Sequence, residues 1–199
     1  MSNITWKKTR TETVLKDRWI DFKRRYYIMP NGEEIGPFYT YSKRDYVVIV
    51  ATDENGNYIC VNQYRQGIDE LTTEFTAGGV EVFDSATENT EVYGNVPEEQ
   101  AFQTAVRELR EETGYASDDW EFLMTLPSHA TINNDYAHIY RARNCKKVGG
   151  QELDSTEFIN VRIITPEELA GLVKAGDFKQ AMHVLAWYAS RERDAVKSV

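Results

Sequence analysis

Three stretches of the chain carry apolar residues at helical spacing. Across Pro97–Thr113, Ala101, Phe102, Ala105, Val106 and Leu109 fall on one helical face, and Gly114 supplies a C-terminal stop. Thr165-Pro166-Glu167-Glu168 reads as a capping box with proline at the first helical position, opening a helix that ends near Gly176. Asp177 is placed to cap a last helix carrying Phe178, Ala181, Met182, Leu185 and Ala189. Other segments are rich in β-branched and aromatic residues. Tyr46–Ala51 and Tyr58–Tyr64 flank Asp53-Glu54-Asn55-Gly56-Asn57 and predict a hairpin. Glu121–Leu126, Ala137–Ala142 and Phe158–Ile164 are further strand candidates. Up to about Ser42 the pattern is β, with Ile20–Met29, a turn at Pro30-Asn31-Gly32 and a return over Gly36–Tyr41. Val82–Val96 is polar and acidic, shows no period, and reads as a long surface loop.

Composition narrows the class. A chain of 199 residues with 41% apolar content can bury the core of one domain, with room for a small subdomain. Acidic residues outnumber basic ones by 32 to 23, for a net charge of −9, which argues against a nucleic-acid scaffold. An acidic protein that handles a polyanion needs a bridging cation. The longest strongly apolar run, Tyr46–Ala51, falls far short of a membrane helix, and Met1–Arg10 has no apolar signal core. Cys60 and Cys145 fit neither a disulfide framework nor a zinc site. A reducing cytoplasm is the expected location.

The candidate chemistry sits on the first helix. Glu108, Glu111 and Glu112 stand at i, i+3 and i+4, so their carboxylates share one patch. Like charges at that spacing, close to a helix C-terminus, are locally unfavourable. They invite a compensating cation, and hard oxygen ligands select magnesium or manganese. A solvated acidic face, partly neutralised by Arg107 and Arg110, is the alternative that the carboxylates alone leave open.

The wider pattern adds to this. Glu99, seven residues, then Arg107-Glu108-Leu109-Arg110-Glu111-Glu112-Thr113-Gly114-Tyr115 resembles the C-terminal part of the Nudix box. Val61-Asn62-Gln63-Tyr64-Arg65-Gln66-Gly67 and Glu74-Phe75-Thr76-Ala77-Gly78-Gly79-Val80-Glu81 resemble the strand and loop before the box in ADP-ribose pyrophosphatase-like members. Glu157-Phe158-Ile159-Asn160-Val161-Arg162, followed by two helices, fits the same subgroup, and the likeness runs from about residue 15 to 190. Two positions depart from the pattern. The glycine that normally precedes Glu99 by six residues is replaced by Tyr93, and Gly78 takes its place, which puts an insertion at about 82–96. Thr76 stands where the family often has proline.

The resemblance implies an α/β (α+β) fold, a Nudix α/β/α sandwich with a mixed β-sheet. Residues 1–43 would form a small N-terminal antiparallel β subdomain for dimerisation or substrate covering, and 44–199 the Nudix hydrolase domain. It implies a metal-dependent pyrophosphohydrolase of a nucleoside diphosphate sugar, with ADP-ribose leading and AMP and ribose 5-phosphate as products. Another substrate such as a GDP-hexose, or a non-catalytic nucleotide-binding module, are the alternatives. Carried over by position, Glu108, Glu111, Glu112 and the Ala77 carbonyl would hold Mg2+ or Mn2+, Arg107 would orient the glutamates, and Glu157 would be the general base. Glu152 and Asp154 are alternative bases. Substrate contacts are assigned to Arg65, Gly78 and Asn134, although Arg65 equally suits a salt bridge within the sheet and Asn133-Asn134 a turn. His129, His138 and His183 show no metal-ligand spacing. Phe38, Tyr39 and Tyr41 suit either nucleobase stacking or the core of the N-terminal sheet. The aromatic content of Ile20–Tyr41 exceeds what a small hairpin buries, so a homodimer is expected, with no nucleic-acid or membrane partner.

Overall fold

The computed structural model describes residues 4–17, 20–81 and 96–197. The loop expected at Val82–Val96 therefore lies outside the described residues, apart from Val96. Strands β1 (Lys7–Lys16), β2 (Asp21–Ile28) and β3 (Glu34–Ser42) form a three-stranded antiparallel sheet. The sequence pattern names no strand at β1. Its residues are charged or threonine over most of their length and are almost all exposed, so no apolar period marks it.

The second sheet holds β4 (Tyr46–Asp53), β5 (Tyr58–Arg65), β6 (Glu70–Gly79), β7 (Tyr115–Ala116), β8 (Asp119–Pro127), β9 (Tyr136–Lys147) and β10 (Asn160–Ile164). Their order is β10-β5-β6-β4-β9-β7, with β8 also on β9. Among the described residues of this sheet, only the β4–β9 ladder is parallel. The Asn55-Gly56 turn forms as expected, with Gly56 at φ +80° and Asp53 accepting from the backbone N–H groups of Asn55 and Asn57. The hairpin is splayed, however. β4 and β5 pair only at Ala51–Ile59 and Thr52–Tyr58, and β6 then enters between them to pair with both.

Helix α1 (Glu98–Thr113) covers one face of this sheet, and α2 (Pro166–Ala175) and α3 (Ala181–Lys197) cover the other. Val47, Ile49 and Ala51 meet Ala101, Ala105 and Leu109 of α1, while Val48 and Val50 share a cluster with Leu169, Ala186 and Trp187. All five residues Val47–Ala51 are 0% exposed, which explains why β4 reads as an unbroken apolar run. The result is the α/β/α sandwich with a mixed sheet. No described helix is long and apolar enough to cross a membrane.

Helix ends follow the sequence closely, with two corrections. Thr165 caps α2 through the Glu168 N–H, but the Glu168 carboxylate goes to Arg162 instead of closing the box. Asp177 does not cap the last helix. Its N–H bonds Leu172 O at 2.9 Å while Gly176, at φ +78°, bonds Val173 O, so the pair closes α2 in a Schellman motif. Helix α3 begins later, at Ala181, and Phe178 is buried ahead of it.

Candidate active site

The C-terminal half of α1 lies over β6. Gly78 sits directly beneath Glu108, and a Cβ at that position would overlap the Glu108 carboxylate. Glycine is needed here for close approach. Next to it, the backbone N–H of Ala77 meets the carboxylate of Glu112. Both glutamates are buried, at 8% and 4% exposure, whereas Glu111 is half-buried. Arg107 Nη2 donates to Glu108 Oε1 at 2.6 Å, and its other terminal nitrogen pairs with Glu111. Arg107 thus pairs with two of the three carboxylates.

Burial pushes the Glu112 carboxyl up to about 8, and the neighbouring charges of Glu108 and Glu157 add to the rise. Burial raises Glu108 as well, against the pull of Arg107. Glu112 Oε2 is buried with no hydrogen-bond partner. Carboxylates gathered out of water, one with an orphaned oxygen, fit a divalent cation held by Glu108 and Glu112. As the side chains lie, among the described residues no three acidic, cysteine or histidine side chains already form a metal-binding group. Ala77 is placed beside Glu112 through its N–H, whereas its assignment as a ligand concerned its carbonyl.

Glu157, on the stretch between β9 and β10, lies near enough for its charge to raise both Glu108 and Glu112. Its backbone N–H bonds Asp154 O at 2.9 Å, and its Oε2 accepts the Asp154 N–H at 3.0 Å. Glu152 is exposed and stands 4.0 Å from Arg110. Gly114 ends α1 at φ +74°, and a side chain there would also collide with the Gly149 carbonyl oxygen.

Arg65 forms the in-sheet salt bridge that its sequence position allowed. It pairs with Glu74, with Nε to Oε2 at 3.2 Å, and Thr72 Oγ1 donates to the same Oε2 at 3.1 Å. Its charge still reaches Glu112 and lowers it. Glu74, 0% exposed, is the partner that the motif around β6 does not single out; a glutamate inside a buried strand is the signal that marks it. Asn134 lies elsewhere, on the β8–β9 loop, which is tied to the end of β3 by Tyr41 N–H to Ile132 O at 3.0 Å. Buried His183 accepts the Phe75 N–H at Nδ1 and is driven down to about 3 by burial, a core role.

These shifts give a pH dependence. In chelator, between about 4.5 and about 8, the folded chain keeps a proton on Glu112 that the unfolded chain has released. Stability therefore falls as pH rises through that window. Thermal melts in chelator should show this fall in the wild type, a flatter profile in Glu112→Gln, and recovery at pH 8 on adding Mg2+. Equal slopes in the two proteins would remove the buried-carboxylate account.

Comparison with known proteins agrees with this geometry. The family model described as NUDIX domain matches residues 42–188. A methanol dehydrogenase activator of Bacillus methanolicus is 27% identical over 199 residues, covering 96% of this chain and 95% of that one. An ADP-ribose pyrophosphatase of Bacillus subtilis (strain 168) is 26% identical over 206 residues, covering 100% and 99%. An ADP-ribose pyrophosphatase of Mycobacterium tuberculosis is 32% identical over 111 residues, 56% of this chain and 47% of its own. In fold, the crystal structure of an ADP compounds hydrolase superposes with a TM-score of 0.76 at 21% identity, covering 99% of this chain and 98% of that chain.

Proposed function

The chain belongs to the Nudix family as an ADP-ribose pyrophosphatase-like hydrolase, and from that premise we propose that it cleaves the diphosphate of ADP-ribose to AMP and ribose 5-phosphate. The observation that carries the reading is the pair of buried carboxylates, Glu108 against Gly78 and Glu112 against the Ala77 N–H, with the charge of Glu157 reaching both. Nudix hydrolases generally use divalent metals, and a bound Mg2+ or Mn2+ supplies neutralisation of the pyrophosphate and activation of water. Glu108 and Glu112 would hold it, and Arg107 would fix their orientation. Glu157 would take the proton from the attacking water.

The test is hydrolysis of ADP-ribose, a GDP-hexose and NAD, with Mg2+, with Mn2+ and in chelator. ADP-ribose should show the highest kcat/KM, and chelator should abolish turnover. Preference for the GDP-hexose would move the substrate assignment. Tight binding without hydrolysis of any compound would make the chain a nucleotide-binding module.

We further propose a homodimer built through the N-terminal sheet, in the cytoplasm. That sheet and Trp6 just before it leave Trp6, Val14, Leu15, Phe38 and Tyr39 between 40% and 53% exposed, apolar surface suited to a partner. Sedimentation should give twice the chain mass of 23.0 kDa. A monomer at micromolar concentration would refute the dimer.

A further inference from the structure

Glu157 lies on residues 148–159, a stretch with neither helix nor strand. A group that takes a proton from one water must be held to about half an ångström. No ladder does this for Glu157. The short turn it makes with Asp154 ties its side chain to the Asp154 N–H, and that turn is local and belongs to no helix or strand.

The stretch is fastened instead to the end of α1. The last carbonyls of a helix have no partners within it. Gly114 O accepts the N–H groups of Val148 and Gly149 at 2.9 and 3.2 Å, and Glu111 O accepts the Glu152 N–H at 2.8 Å. Those bonds use the backbone and secure only the beginning of the stretch. The Gln151 side chain reaches further. Its Nε2 donates to Glu112 O at 2.7 Å and to Ile159 O at 3.1 Å. One amide thereby joins the residue carrying the buried Glu112 carboxylate to a residue two places past Glu157. Ile159 is itself 4% exposed and leads into β10, so the far end of the clamp is anchored.

We propose that Gln151 is a positioning residue for hydrolysis, holding Glu157 against Glu108 and Glu112 by clamping Glu112 O and Ile159 O with one amide. The proposal rests on the reading of Glu157 as the base. Its chemistry demands two N–H donors on one atom, which a carboxamide provides. Glutamate, nearly the same shape, has no donor and would set an anion against two carbonyl oxygens, one of them, Glu112 O, at a helix C-terminus.

The experiment is a double-mutant cycle on ADP-ribose hydrolysis with saturating Mg2+, using Gln151→Ala, Gln151→Glu and Glu157→Gln. Gln151→Ala should lower kcat by about 10–100-fold with KM within about twofold, and the isosteric Gln151→Glu should not rescue it. In the Glu157→Gln background, removing Gln151 should change kcat by less than about twofold, because the group it positions is already disabled. Amide exchange at residues 154–159 should quicken in Gln151→Ala while the α1 amides keep their protection. The same loss of rate in both backgrounds, or a wild-type rate in Gln151→Glu, would overturn the positioning role. A wild-type rate in Glu157→Gln would instead overturn the base assignment and the proposal with it. A slow Glu157→Gln beside a fast Gln151→Ala would remove Gln151 alone.

Discussion

Glu157→Gln is expected to slow hydrolysis by about 10²–10⁴-fold, the usual cost of losing a general base. The substitution keeps volume and hydrogen-bonding shape but removes the site that accepts the proton. Glu157 is the candidate whose charge reaches both Glu108 and Glu112. Glu152, by contrast, is 69% exposed at its side chain and turned toward Arg110. Metal affinity should change little, because the glutamates assigned to hold the ion are intact. Single-turnover rates with Mg2+, together with Mn2+ titration of both proteins, separate the two effects. An unchanged rate would send the base role to Glu152, Asp154 or a box glutamate. A large drop in Mn2+ affinity would make Glu157 a metal ligand.

What the sequence disclosed follows from where local pattern decides structure. Helix α1 and its carboxylates were legible because a single amphipathic face, a stop glycine and the run Arg107–Gly114 all point to the same element. The burial of Glu108 and Glu112 was not, since it depends on β6 passing beneath them, with Gly78 under Glu108 and Ala77 beside Glu112. β6 itself shows no clean alternation. It mixes exposed Leu71 with buried Thr72 and Glu74, and the motif likeness, not its pattern, drew attention to it. Asp177 looked like a helix start because Asp is a favoured N-cap; the left-handed Gly176 before it closes α2 and takes the Asp177 N–H into that closure. The Gln151 clamp spans 39 residues to Glu112 and follows no local rule. The site thus divides cleanly: its charged helix is a local property, and the floor and fastenings of that helix are tertiary.

The remaining large effect concerns the metal. Glu112→Gln is expected to lower kcat at least about 100-fold, in the range for removing a charged ligand or its support. Two arguments predict opposite effects on stability and activity. Glu112 is a buried carboxyl whose Oε2 lacks a partner and whose ionisation is opposed by burial, Glu108 and Glu157. Replacing it with a neutral amide removes a buried charge, so the metal-free variant should be at least as stable as the wild type near pH 8. A neutral amide oxygen is also a poor exchange for a carboxylate toward Mg2+, so affinity and turnover should fall together. That combination, gained or equal stability in chelator with lost turnover in Mg2+, distinguishes a ligand from a structural residue. A structural Glu112 would lose both. Thermal melts in chelator and kcat against Mg2+ concentration measure the two sides, and full activity in the variant would end the assignment of Glu112 as a ligand.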